Sequence, residues 1–269
     1  MGTSTATAEI TDDDSAIPGG VSTNLVFWFA ADDGTSTTVD GLKVSTWTDK
    51  SGNSNDATEN SPGATYTSLL DNFRPAINFP TADGGFNIAD DADINSGGSA
   101  FNAKSYFISF KTGSDITSRQ LFYEQGGATT GMNMFIESGD LQWNLFQGST
   151  EYTGSGVTVL ANTNYLASFI FDGANNRWDA YLDATSVDNN TSTISTLGTH
   201  SGNIGFGLIN GSTQYPGDIN ITTDEGFFGH IMEMIYYSDT ALHSTDKNQL
   251  ESYLALKYGT TISTDYLAS

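Results

Sequence analysis

Short runs of β-branched and aromatic residues, each closed by Gly, Asn, Asp or Ser, recur along the chain from Val21 onward. Leu25-Val-Phe27-Trp28-Phe29, Ser105-Tyr-Phe-Ile-Ser-Phe110, Gln120-Leu-Phe-Tyr123 and Tyr165-Leu-Ala-Ser-Phe-Ile-Phe171 have the composition and bounding residues of strands. Two hairpins are legible. Met132-Asn-Met134-Phe-Ile136 runs into Ser138-Gly139-Asp140 and returns through Leu141-Gln-Trp143-Asn-Leu145, with apolar residues at every second position. The other runs from Phe169 to Asp172, turns through Gly173-Ala-Asn175-Asn176 and returns from Arg177 to Leu182. One helical period stands out near the end: Ser244 is placed to cap it, Asp246 lies in its first turn, Leu250, Tyr253 and Leu254 make one apolar face, and Gly259 ends it. The pattern predicts an all-β, two-sheet sandwich with one short C-terminal helix, built as one domain because no repeat divides the stretch from Val21 to Gly259.

Composition narrows the partners. The chain has 269 residues, with 32 Asp and Glu against 9 Lys and Arg, a net charge of −23. Such a field repels phosphates and anionic membrane surfaces, which excludes nucleic acid as a partner. No apolar run approaches the length of a membrane span, so membrane insertion is not expected. The start, Met1-Gly-Thr-Ser-Thr-Ala, has no basic-then-apolar leader and reads as that of a piece excised from a longer, modular polypeptide. An Asp-rich surface attracts divalent cations, and hard oxygen ligands suit calcium. The absence of Cys excludes disulfides and thiolate metal sites.

The opening Thr5-Ala-Thr-Ala-Glu-Ile10-Thr-Asp12-Asp13-Asp14 resembles the end of a Calx-beta module, so residues 1–17 read as a linker or the end of a preceding repeat. From Pro18 to Ile262 the order of motifs resembles the laminin-G-like, or concanavalin A-like, jelly-roll domains of bacterial modular surface proteins. The likeness rests on Pro18-Gly-Gly-Val-x-x-Asn24-Leu-Val-x-Trp28 and Trp47-x-Asp49-x-Ser51-Gly52-Asn53-x-Asn55-Asp56-Ala57, then Arg74-Pro75-Ala76-Ile-Asn-Phe79 and Phe86-Asn-Ile88-Ala-Asp90. Near the end come Gly229-x-Ile231-x-Glu233-Met-Ile-x-Tyr237 and Leu250-Glu-Ser-Tyr253-Leu-Ala-Leu-Lys-Tyr258-Gly259. One departure is Asp183-Ala184, where the family has Asp-Gly at a turn that calls for positive φ. Residues 263–269 read as the start of a following linker. The resemblance implies an antiparallel jelly-roll sandwich and a habit of binding glycans, sometimes proteins, often with calcium at a loop rim.

Retaining glucanases of this fold carry Glu-x-Asp-x-x-Glu, which places two carboxylates about 5 Å apart, and that triplet is absent. Glu233, alone among Ile231, Met232, Met234 and Ile235, is expected to tie the terminal strands together. The lyases of this architecture need a Gln-x-His that is also missing, and His200, His230 and His243 have no neighbours at zinc spacing. Calcium ligands are expected at Asp49 and Asp56 around the Ser51-Gly52-Asn53 turn, the alternative being a metal-free network of Asx turns. Asp218 and Asp224, in the long segment from Asn210 to Gly226, form a second candidate. Sugars stack on exposed aromatics and bond to amides, which points to Trp143, Tyr152 and Tyr215 with Asn144 and Gln147 as polar partners. Trp143 is in phase with Leu141 and Leu145 and so is also a core candidate, whereas Tyr152, between Gly148 and Gly154, is expected at the surface. Trp28, Trp47 and Trp178 are read as packing residues. These features predict a non-catalytic, calcium-associated glycan-binding domain of a secreted or cell-surface adhesin, its ligand a glycan or cell-surface polysaccharide. The rivals are a protein- or peptide-binding adhesion module and a structural spacer between neighbouring modules.

Overall fold

A computed structural model describes residues 17–60, 63–81, 84–95, 100–222, 225–264 and 266. The acidic run Asp12–Asp14 and Asp224 lie outside them. In chain order the strands are β1 (Leu25–Ala30), β2 (Thr46–Trp47), β3 (Ala57–Glu59), β4 (Thr65–Asp71), β5 (Arg74–Phe79) and β6 (Phe86–Ile88), followed by a single helical turn, α1 (Ala92–Asn95). Then come β7 (Ala103–Thr112), β8 (Gln120–Gly126), β9 (Thr130–Glu137), β10 (Asp140–Gln147), β11 (Thr150–Thr153), β12 (Val157–Thr158), β13 (Asn164–Asp172), β14 (Arg177–Leu182) and β15 (Thr185–Thr191). The last elements are β16 (Ile204–Phe206), the ribbon β17 (Thr213–Tyr215) and β18 (Asp218–Ile221), β19 (Gly229–Ser238) and the helix α2 (Ser244–Tyr258).

Two antiparallel sheets form the jelly-roll sandwich. The eight-stranded sheet has the order β15-β14-β13-β7-β19-β5-β4, with β1 also on β19; the nine-stranded sheet has the order β11-β10-β9-β8-β16-β6-β3-β2, with β12 on β10. β19 holds the first sheet together: Gly229–Ile231 pair with β5, Glu233–Tyr237 pair with β1, and β7 runs along it from Thr112 to Lys104. The facing surfaces bury one large cluster that includes Phe27, Phe29, Trp47, Tyr106, Trp143, Phe169 and Trp178. α2 covers the other face of the eight-stranded sheet, packing Leu250, Leu254, Ala255 and Tyr258 on Trp28, Phe107, Met232 and Ile235. With both faces buried, β1 is apolar throughout, and the apolar residues of β7 and β19 run consecutively at 106–108 and 234–237, which is why no strict alternation shows there.

Glu233 does tie the terminal elements together. Its Oε1 accepts from Trp28 Nε1 (2.6 Å) and its Oε2 from Lys257 Nζ (2.8 Å) and the Tyr258 hydroxyl (2.7 Å). α2 ends at Gly259, which has φ 70° and returns its N–H to Ala255. Its start differs from expectation. Ser244 is the first helical residue, the preceding His243 makes no side-chain cap bond, and Ser244 itself has φ 50°. The turn at Asp183-Ala184 keeps its left-handed geometry without glycine, at φ 49° and 59°.

Candidate functional site: the outer face of the nine-stranded sheet

Strand parity creates one polar line across the second sheet. Thr46, Thr58, Asn87, Gly205, Glu124, Asn133, Asn144 and Thr153 are successive register partners from β2 to β11. Partners in antiparallel strands point to the same face, so these side chains form a row of hydroxyls and amides interrupted by one carboxyl. A bulge between Leu121 and Tyr123 sets the phase in β8: Phe122 and Tyr123 both enter the core, and Glu124 turns outward.

The stretches 207–222 and 225–226 roof half of this row. Tyr215 packs on Phe135 (ring centroids 4.9 Å apart) and clusters with Leu121, and Arg119 lies 4.4 Å over its ring. The Gln214 carbonyl accepts from Asn133 Nδ2 (2.8 Å) and Asn144 Nδ2 (3.3 Å), and the Gln214 side chain donates to Glu151. Asn133 Nδ2 also reaches Thr213 Oγ1 at 3.0 Å. Arg119 clamps the roof, with Nη2 at 2.7 Å from Asp218 and 2.9 Å from Glu137 and Nη1 at 3.6 Å from Glu225. The other half of the row is open: Thr58 is exposed, Thr46 and Asn87 are half-buried, and Asn210 Nδ2 closes the end by donating to Asn87 Oδ1 (2.7 Å).

Glu124 is fully buried beneath this roof. Its Oε1 accepts from Asn210 N (2.9 Å), while its Oε2 and the Oδ1 of the facing Asn133 have no partner. Burial pushes the Glu124 carboxyl up to about 8 against the opposing pull of the Asn210 and Gly205 N–H groups. Two orphan acceptors thus lie on register partners of this face, and a Glu124 carboxyl that keeps its proton carries a donor as well.

The predicted ligand residues divide by face. Asn144, Tyr215 and Asp218 meet on the outer face, but Asn144 is buried under the roof, Tyr215 is the buried underside of the roof itself, and Asp218 is held by Arg119. Trp143 and Tyr152 are on the inner side and cannot stack on a sugar. Trp143 is 0% exposed with its ring 5.2 Å from Phe169, and Tyr152 is 7% exposed and lies 6.4 Å from Trp178. The glycines beside Tyr152 mark close packing as well as turns: a Cβ on Gly154 would stand 2.0 Å from the Trp143 ring. Gln147 is exposed, and its Oε1 accepts from Gly198 N (2.6 Å).

The expected calcium ligands do not form a set. Asp49 Oδ1 accepts from Trp28 N (2.9 Å) and Ser51 N (2.8 Å), and Oδ2 from Ser51 Oγ (2.7 Å) and Asn55 N (3.1 Å). A carboxylate offers about four such positions, so Asp49 has none left for a metal. Asp56 Oδ1 accepts from Asp49 N at 2.8 Å. Among the described residues, no group of three or more His, Cys, Asp or Glu stands where it could hold a metal ion. The loop has a different task. Ser51 Oγ, Asn53 Nδ2 and Asn55 Nδ2 donate to the Val26 carbonyl at 2.9–3.0 Å, Asn53 also to Leu25 O, and Lys50 N to Trp28 O. Side chains thereby replace a neighbouring strand along the free edge of β1.

The histidines are structural or at the rim. His200 Nε2 is 2.8 Å from Gln125 Nε2 and His243 Nε2 is 3.0 Å from Asp172; burial lowers the pKa of His200 and His230. Glu124, Asn133 and Asn87 were missed in the sequence. Asn133 alternates with Met132 and Met134 and could have been assigned an outward direction, whereas the orientation of Glu124 depends on a bulge that no residue pattern announces.

No model of a known protein family matches the chain, and no curated protein matches it in sequence. Solved structures do match in fold. Domain 4 of AbnA, an extracellular arabinanase of Geobacillus stearothermophilus in complex with arabinotriose, superposes with a TM-score of 0.61 at 13% identity, covering 86% of this chain and 98% of that one. The receptor-binding domain of a botulinum neurotoxin C/D mosaic gives 0.61 at 10% identity over 86% of this chain and 51% of that one. Trypanosoma rangeli sialidase gives 0.56 at 10% identity, with 87% and 33% covered. This chain thus spans about half or less of the toxin and sialidase chains. At these identities the likeness establishes a shared β-sandwich fold.

Proposed function

We propose that the chain is a non-catalytic glycan-binding domain of a secreted or cell-surface protein. The observation that carries this reading is the polar row with its single carboxyl. Glycoside hydrolysis by the usual route needs two acids across the scissile bond, and the register partners of Glu124 are an amide, Asn133, and a glycine, Gly205. The open half of the row, Thr46, Thr58 and Asn87, offers the hydroxyl and amide groups that exchange hydrogen bonds with sugar hydroxyls. The fold is shared with an arabinanase domain crystallised with arabinotriose, which supports a glycan as the ligand class. Among the described residues no helix is long and apolar enough to cross a membrane. Calcium is not part of the proposal, because Asp49 already accepts four hydrogen bonds.

A panel of immobilised oligosaccharides that includes arabino-oligosaccharides tests the reading. Binding is expected, and Asn87→Ala combined with Thr58→Ala should weaken it about tenfold, the worth of one or two hydrogen bonds. Absence of binding across the panel overturns the proposal, as does sugar release from a soluble polysaccharide.

A further inference from the structure

The β4–β5 hairpin turns through Asn72 and Phe73, which join the ladder partners Asp71 and Arg74. Both turn residues have positive φ, 47° and 58°. A two-residue turn of this kind favours Asn-Gly, because the second position lies in the left-handed region that glycine occupies without a Cβ penalty. A phenylalanine there is an outlier. Ala184 has the same conformation, φ 59°, but is 5% exposed and packed in the cluster under α2, so burial offsets its strain. Phe73 has no such compensation, since it is 87% exposed.

The tip is held firmly. Asn72 Nδ2 donates to the Lys257 carbonyl (3.0 Å) at the end of α2, and a Cβ built on Gly259 would lie 3.2 Å from that of Asn72. Leu256, in the last turn of α2, is 61% exposed beside it. Charges around the tip are paired: Arg74 with Asp32 at 3.3 Å, Lys257 with Asp32 at 3.1 Å and Lys111 with Asp71 at 3.0 Å. A rigid, strained and exposed aromatic in a locally neutral setting is a preorganised contact.

We infer that Phe73 is a stacking platform for the apolar face of an uncharged sugar ring, with Asn72 and Arg74 as its polar flank. The inference rests on the glycan-binding reading and adds to it a second contact site, at the β4–β5 edge of the eight-stranded sheet and apart from the open row Thr46, Thr58 and Asn87. Among the described residues the cations at the tip, Arg74, Lys111 and Lys257, are each paired with an acid and so not free to select a sialic or uronic acid, and a chain of net charge −23 repels anionic glycans. Phe73 therefore serves neutral oligosaccharides.

The test measures binding of the whole chain to matched neutral and sialylated oligosaccharides, with Phe73→Gly and Phe73→Tyr beside the parent. The expected result is neutral-glycan binding by the parent, at least a tenfold loss in Phe73→Gly with a melting temperature equal or higher, and retention in Phe73→Tyr. A higher melting temperature for Phe73→Gly shows that the fold survives and that the strain is released. If the parent binds no glycan, the glycan reading itself falls and this inference with it. If the parent binds and Phe73→Gly binds equally well, the inference is overturned while the reading stands. Preference for sialylated ligands overturns the assigned class. Loss of self-association in Phe73→Gly with unchanged glycan binding assigns the tip to a second copy of the chain and also overturns the inference.

Discussion

Glu124→Gln isolates the energetic consequence of a lone carboxyl under the roof. Below pH 4.5 the carboxyl is protonated in folded and unfolded chains alike, and the group contributes nothing to pH dependence. Above it the unfolded chain releases the proton while the folded chain keeps it until about pH 8. Over that interval the folded state binds more protons, so stability falls as pH rises and levels off above about 8. At about 1.4 kcal/mol per pH unit the full interval amounts to roughly 5 kcal/mol, and between pH 5 and pH 8 to roughly 3 kcal/mol. Glutamine carries no proton to lose and can point its amide at the unpartnered Asn133 Oδ1. The variant should thus equal or exceed the parent at pH 5 and exceed it by about 3 kcal/mol more at pH 8.

Urea unfolding of both proteins at the two pH values measures this, and the difference between them cancels every other titrating group the two share. A pH-dependent difference below about 1 kcal/mol would refute the reasoning, because it would mean that Glu124 ionises in the folded chain at little cost. An opposite sign would mean that a cation or a second donor reaches Oε2.

Lys104 gives the mirror case. Burial pulls its pKa down to about 7, with its ammonium 2.8 Å from both the Ile94 carbonyl and Ser238 Oγ; below that value it is charged in both states, and between about 7 and 10.5 stability rises with pH as the folded chain sheds the proton first. Lys104→Met should abolish that rise in unfolding free energy between pH 7.5 and 9.5. Asp49→Ala leaves four N–H and O–H donors without their acceptor and should cost about 4 kcal/mol by denaturant unfolding; calcium should neither rescue it nor stabilise the parent, and a chelator-sensitive parent would restore the metal reading. Trp143→Ala should cost about 3–5 kcal/mol as a core truncation, and a variant that loses glycan binding with unchanged stability would return Trp143 to the surface.

The sequence conveyed the elements well wherever a strand is buried on both faces or ends in a tight turn. Leu25–Phe29, Tyr165–Phe171 and the Ser138-Gly139 hairpin needed only local composition. It conveyed the site poorly because the site is an effect of register. Asn87, Gly205 and Glu124 lie on strands that are neighbours in space and distant in sequence, Asn133 joins them from β9, the hairpin partner of β8, and one bulge decides which way Glu124 points. Tyr152 misled for a related reason, since glycine marks either a loop or a place where something must come close, and at Gly154 the thing that comes close is Trp143. The stretch from Trp47 to Ala57 kept its prominence but changed its meaning, from metal loop to surrogate strand for β1.

Asn133→Asp separates the two features on which the proposed non-catalytic reading of this face rests. Opposite residues in neighbouring antiparallel strands have Cβ atoms about 5 Å apart, so the substitution sets a second carboxyl beside Glu124 near the spacing a retaining hydrolase requires. The new acid also replaces an amide that donates to Thr213 Oγ1 and to the Gln214 carbonyl; the Thr213 hydroxyl can turn and donate to it, but the bond to the carbonyl becomes a contact between two acceptors, at a cost of about 1–3 kcal/mol. Two buried carboxyls this close cannot both ionise, so the cost should be greater at pH 8 than at pH 5, the same direction as for Glu124 alone. No hydrolysis should appear, because Thr213 and Gln214 still roof the pair and neither substrate nor water reaches it. Release of reducing sugar by the variant would show that the roof opens and that the missing second acid alone had kept the face from chemistry.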